Sequence, residues 1–151
     1  MPQIVFEGID GMGKTTRARK LADFLNVPYL YFPRPKGREQ HTDEWIRYAF
    51  KLMRKYSTQI KDFVLDRSVI SAVVYNLDYY NQYKEALKTV LDMGYHVIFL
   101  MPESDRYADH LYINRYWEVI QILKDYNKDL VKVEKGERYE KPDVLIPYNK
   151  D

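Results

Sequence analysis

Short apolar runs alternate along the chain with longer stretches in which apolar residues recur every three to four positions. That alternation is the pattern of parallel strands joined by crossover helices. Ile4-Val5-Phe6 reads as the first strand, and the stretch from about Lys14 to Leu25 as a helix with Ala18, Leu21 and Leu25 on one face. Tyr29 to Phe32 reads as a short second strand, after which Pro33 and Pro35 force a loop. A helix is predicted from about Thr42 to Tyr56, with Trp45, Ala49, Leu52 and Met53 to one side. Phe63-Val64-Leu65 forms a third strand ending at Asp66. One helix then follows from Ser68, carrying Ile70, Val73, Val74 and Leu77, and a second from about Gln82 to Met93, stopped by Gly94. His96 to Leu100 reads as a fourth strand ended by Pro102, and roughly Tyr107 to Tyr126 as the last helix. A fifth strand is expected at Val131-Lys132-Val133 or at Val144-Leu145-Ile146. No repeat, low-complexity tract or linker divides the 151 residues, so residues 1 to 151 read as one domain around one core.

Composition narrows the chemistry. The chain has no cysteine, which excludes disulfides, thiolate zinc sites and cysteine nucleophiles, and its three histidines argue against a histidine-rich metal centre. Lysine and arginine number 24 against 22 acidic residues, too even a balance to suggest a nucleic-acid partner by bulk charge. The N-terminus shows no basic segment leading into a long apolar stretch, and Val97 to Met101 is far too short to span a bilayer. A cytoplasmic protein with no membrane partner is expected.

One motif is specific. Gly8-Ile9-Asp10-Gly11-Met12-Gly13-Lys14-Thr15 fits G-x-x-x-x-G-K-[ST] and lies between a predicted strand and a predicted helix, the context that this phosphate-binding loop requires. Its glycines let the backbone curve around a phosphate with N–H groups inward, at the positive end of the helix. Lys14 would reach the β and γ phosphates of ATP, and the hydroxyl of Thr15 would ligate Mg²⁺. Gly8, Asp10, Gly11, Met12, Gly13, Lys14, Thr15 and Thr16 are the expected contacts to the ATP phosphates.

The run from Phe6 through Glu7 and Gly8 to Thr15 and Thr16 resembles the opening signature of the thymidylate kinase family of nucleoside monophosphate kinases, and the resemblance spans roughly Ile4 to Tyr116. It implies a P-loop NTPase fold: three layers, a mostly parallel five-stranded sheet in the order 2-3-1-4-5, helices on both faces and a short lid. It implies ATP-dependent phosphorylation of a deoxynucleoside monophosphate, dTMP first, with small-molecule nucleotides as partners and a homodimer as the usual assembly. By resemblance Asp10 would face the acceptor's 3′-hydroxyl. Phe32-Pro33-Arg34 matches the place where the family sets an arginine on the acceptor phosphate, and Asp66-Arg67-Ser68 is similar to its Asp-Arg-Tyr motif. Both arginines fall at carboxyl ends of predicted strands, where doubly wound sheets build their sites. Guanidinium groups suit the task, since two polyanions must be brought together around a transferring phosphoryl group. Asp66 would position Mg²⁺ through water or hold Arg67.

Phe50 and Arg54 share a helix face by their i, i+4 spacing. The family uses such a pair to stack on thymine and to hydrogen-bond it; an amphipathic core helix would also turn Phe50 inward. Tyr75 and Asn76 match positions that line sugar and base. The segment 102 to 107 is similar to a shortened lid region. With Gly11 where some members carry an arginine, the lid should supply one; Arg106 is the first candidate and Arg115 the second. Three rivals stay open: a deoxynucleoside kinase, a kinase of a modified nucleotide or DNA base, and a non-catalytic nucleotide-binding module. The first needs a general base for its hydroxyl acceptor, supplied in that family just after strand 2, where this chain has Arg34.

Overall fold

A computed structural model describes residues 2–103 and 110–136. In chain order its elements are β1 (Gln3–Glu7), α1 (Lys14–Leu25), β2 (Tyr29–Tyr31), a 3-10 turn at Gly37–His41, α2 (Asp43–Gln59), β3 (Phe63–Asp66), α3 (Val69–Val74), α4 (Tyr80–Tyr83), a 3-10 turn at Glu85–Leu87, α5 (Lys88–Asp92), β4 (His96–Pro102), α6 (Leu111–Asn127) and β5 (Val131–Gly136). The five strands form one parallel sheet in the order β2-β3-β1-β4-β5. Right-handed crossovers place α1 on one face of such a sheet and the later helices on the other. The contacts among α2, α3, α5 and α6 agree with that arrangement. The central strands are buried on both faces and read as unbroken apolar runs: Phe63, Val64 and Leu65 of β3, and Phe99, Leu100 and Met101 of β4, are all nearly inaccessible.

The expected sheet order and the first of the two positions for β5 are found; Val144-Leu145-Ile146 lies outside the described residues. Two helices differ from expectation. The helix after Arg67 stops at Val74, three residues short of Leu77, because the side chain of Asn76 takes the N–H groups of Asp78 and Tyr79. The single helix expected over residues 82 to 93 is a succession of α4, a 3-10 turn and α5. The linking residues Lys84, Leu87 and Lys88 all keep right-handed helical angles, so the path is one helical course tightened in its middle. Periodicity detects such a course without its change of pitch. Among the described residues no helix is long and apolar enough to cross a membrane.

Candidate active site

The carboxyl ends of β1, β3 and β4 converge, and the loop after β1 lies on them. Gly8 is required there: its φ is +140°, and a Cβ would stand 2.3 Å from the carbonyl oxygen of Leu100 on β4. Gly13, at φ +79°, is the N-cap of α1. No side chain caps that helix and no acidic residue stands in its first turn, so its N–H groups and dipole are left for an anion. Ile9 and Met12 turn into the core and anchor the loop from beneath. Lys14 is buried, with Nζ donating to the carbonyl of Ile9 at 2.8 Å and standing 3.9 Å from Asp10. Burial first, and then the nearby Arg67 cation, pull its pKa from 10.5 to about 8, against the opposing pull of Asp10, Glu7 and Asp66. An ammonium held in that condition has much to gain from a polyphosphate. Beside the loop, Met12, Gly13, Thr16, Arg17, Lys20 and the end of β5 border an open groove, with Arg17 paired to Glu134 at 2.6 Å.

Asp66 closes β3 at 1% exposure. Its Oδ2 accepts from the hydroxyls of Thr15, at 2.7 Å, and Tyr29, at 2.6 Å. Its Oδ1 is buried and has no hydrogen-bond partner among the described residues. A buried carboxylate oxygen normally finds a donor, so this one is set up for a ligand of another kind. The hard oxygen donors of Thr15 and Asp66 fit Mg²⁺. No cluster of three ionisable metal ligands occurs among the described residues, so phosphate oxygens and water would complete the shell.

Arg67 follows directly, at φ +68° and 5% exposure. A left-handed arginine is strained, and such a residue persists only where its surroundings over-determine it. Its guanidinium is paired with Asp10 and donates through Nη1 to the hydroxyl of Ser71 at 2.9 Å and, more weakly, to the carbonyl of Gly8 at 3.4 Å. Burial works against its charge. Tyr116, Tyr75, Asp10 and Glu7 outweigh that and lift its pKa well above the ordinary value. Lys14, Asp10 and Arg67 thus form one chain of alternating charge between the loop and the cleft beyond it.

That cleft is lined by Arg67, Tyr75, Phe32 and Arg34, and also by Ser71, Gln40 and Trp45, which were not among the expected site residues. Phe32 is buried beneath it with its ring 6.3 Å from that of Trp45, and Arg34 reaches it from the exposed loop after β2. Tyr75 packs 4.6 Å from Tyr112 and has Arg67 over its ring at 5.5 Å. Burial pushes its hydroxyl up to about 12, and it stays protonated at neutral pH.

Four expected site residues stand elsewhere. Phe50 and Arg54 border a separate shallow groove with Tyr83 and Met93. Five helical residues separate Phe50 from Trp45, roughly 140° around α2, so the two rings serve different faces. Asn76 is inaccessible and fully engaged: Nδ2 donates to the carbonyls of Gln40 and Thr42, and Oδ1 accepts from Asp78 and Tyr79. It has no hydrogen bond left for a sugar and instead ties the Gln40–Trp45 wall to the end of α3. Arg115 donates through Nη1 to the carbonyls of Val74 and Asn76, at 2.8 and 3.0 Å, lies over Tyr80, and so closes α3. Arg106 lies outside the described residues. Trp45 carried a sequence signal, a large aromatic in the first turn of a helix facing a strand end, but amphipathicity alone assigned it to the core.

No family model matches the chain. Over 30 residues it is 67% identical to a probable thymidylate kinase of Methanococcus aeolicus, a match that covers 20% of this chain and 15% of that relative's length. Among solved structures, the YorR protein of Bacillus subtilis in complex with phosphorylated GDP superposes with a TM-score of 0.58 at 18% identity, over 89% of this chain and 84% of the other. Deoxyadenosine kinase of M. mycoides with bound dATP gives a TM-score of 0.48 at 17% identity, over 87% and 90% of the two chains.

Proposed function

We propose that the chain is an ATP-dependent kinase whose acceptor is a deoxynucleoside monophosphate, with dTMP the first substrate to test. The observation that carries this reading is the cleft that holds Arg67 and Arg34 immediately beyond the Lys14–Asp10 end of the phosphate-binding loop. A hydroxyl acceptor needs a base and a phosphate acceptor needs cations; the two charged residues that line the cleft, Arg34 and Arg67, are both cations. The stretch shared with a probable thymidylate kinase supports dTMP among the candidates.

On this reading the loop amides and Lys14 hold the donor's β and γ phosphates. Mg²⁺ at Thr15 and Asp66 would neutralise charge on the phosphate oxygens. Arg34 binds the acceptor phosphate at the mouth of the cleft. Arg67 stands between donor and acceptor, where it meets the acceptor phosphate and its fixed cation stabilises charge on the transferring group. Asp10 orients Arg67 and, at 53% side-chain exposure, is accessible to the acceptor sugar. Trp45 takes the stacking role that the resemblance gave to Phe50, and Tyr75 walls the sugar.

A coupled ADP-release assay against dTMP, dUMP, dCMP, dGMP, dAMP and their nucleosides tests the proposal. Turnover with monophosphates is expected, and Arg34→Ala should raise the acceptor KM at least tenfold while leaving the ATP KM within twofold. Preference for nucleosides, or an Arg34→Ala variant with unchanged acceptor kinetics, refutes it.

A further inference from the structure

Next to this site the structure buries a carboxylate that the reaction does not use. Glu7, the last residue of β1, is 0% exposed, yet both its oxygens are occupied. Oε2 accepts from the hydroxyl of Ser68 at 2.6 Å and the backbone N–H of Ser71 at 3.1 Å. Oε1 accepts from the hydroxyls of Ser71 at 2.7 Å and Tyr116 at 2.8 Å. Four donors drawn from α6 and the start of α3 make this a built site. A buried carboxylate is costly to keep, and apolar packing would serve cohesion at least as well.

We propose that Glu7 is a positioning residue for Arg67, acting through Ser71 and Ser68 to fix the guanidinium that meets the acceptor phosphate. The inference rests on the kinase reading, in which Arg67 touches substrate. The chemistry is one of hydrogen-bond polarity. An ionised carboxylate only accepts. It therefore takes the Ser71 proton for itself and leaves the oxygen lone pairs of Ser71 facing Arg67 Nη1. Ser68, bonded to the other carboxylate oxygen, caps α3 through the N–H of Ile70 and pins the backbone immediately after Arg67. Glu7 thus holds Arg67 from both sides: the side chain through Ser71, the strained main chain through Ser68. Tyr116 brings α6 into the same arrangement.

Glu7→Gln keeps the shape and replaces one acceptor by a donor, which turns a Ser71 or Tyr116 hydroxyl around and disfavours the Ser71–Arg67 bond. Acceptor binding is read by tryptophan fluorescence and turnover by ADP release, in the full chain. Glu7→Gln should weaken dTMP binding about tenfold, with ATP binding within twofold. In an Arg67→Ala background the same change should weaken dTMP binding less than twofold, because its target is gone. Equal weakening in both backgrounds, or none in the wild-type background, overturns the role of Glu7. Should circular dichroism show Glu7→Gln unfolded, Ser71→Ala enters the same cycle under the same criteria. A wild-type chain that turns over no monophosphate removes the functional reading and this inference with it; turnover with additive effects removes only the inference.

Discussion

Lys14 should be the residue whose loss makes the protein more stable and useless. Its ammonium is buried, and its pKa has moved from 10.5 to about 8, which corresponds to about 3 kcal/mol against the charged form in the folded state. Lys14→Met removes that cost with little change in volume. It also removes the bond to the carbonyl of Ile9, worth about 1 kcal/mol. The net gain is about 2 kcal/mol at pH 7, or a rise in Tm of about 4 to 8 °C for a chain of this size. The pH dependence is diagnostic. Below pH 8 folded and unfolded chains both carry the proton, and the penalty is complete. Between about 8 and 10.5 the folded chain releases it while the unfolded chain keeps it, so wild-type stability climbs toward that of the variant. Thermal melts of both proteins at pH 7, 8.5 and 10 measure the gap, and ATP titration should show no binding to Lys14→Met. A variant less stable than wild type at pH 7, or a gap that does not close by pH 10, refutes the reasoning.

Three further outcomes are expected. Asp66→Asn should raise the Mg²⁺ concentration for half-maximal activity at least tenfold with the fold intact by circular dichroism, since it removes the charge at the oxygen left without a donor. With Trp117→Phe leaving Trp45 as the single indole reporter, dTMP should quench its fluorescence, and Trp45→Ala should raise the acceptor KM about tenfold, in line with base–aromatic stacking energies, while Phe50→Ala leaves it within twofold. Gly8→Ala should destabilise the fold by at least about 3 kcal/mol in denaturant titration, because a Cβ there meets backbone that cannot yield.

The sheet was legible because its strands are short and apolar and its one specific motif sits at a strand–helix junction. That junction also located Lys14, Thr15 and Asp10, the resemblance at the end of the third strand added Asp66 and Arg67, and the structure brings all five together. What escaped the sequence was direction. Phe50 and Trp45 lie on one helix, and periodicity says they differ in facing, without saying which of them faces the strand ends. Asn76 sits beside Tyr75 in the chain, yet the end of α3 sends one side chain into the cleft wall and the other into the interior. Glu7 was quoted only as part of a signature, because nothing in a linear pattern shows that four donors from residues 68, 71 and 116 meet it.

The complete engagement of Asn76 has a mechanical corollary. One amide, with no bond to spare, rivets the loop bearing Gln40 and the first turn of α2 to the helix bearing Tyr75. The two walls of the cleft are thereby joined through the interior of the protein. On the proposed reading, a bulkier acceptor would be admitted more readily by shortening Trp45 or Tyr75 than by parting the two walls that Asn76 ties together.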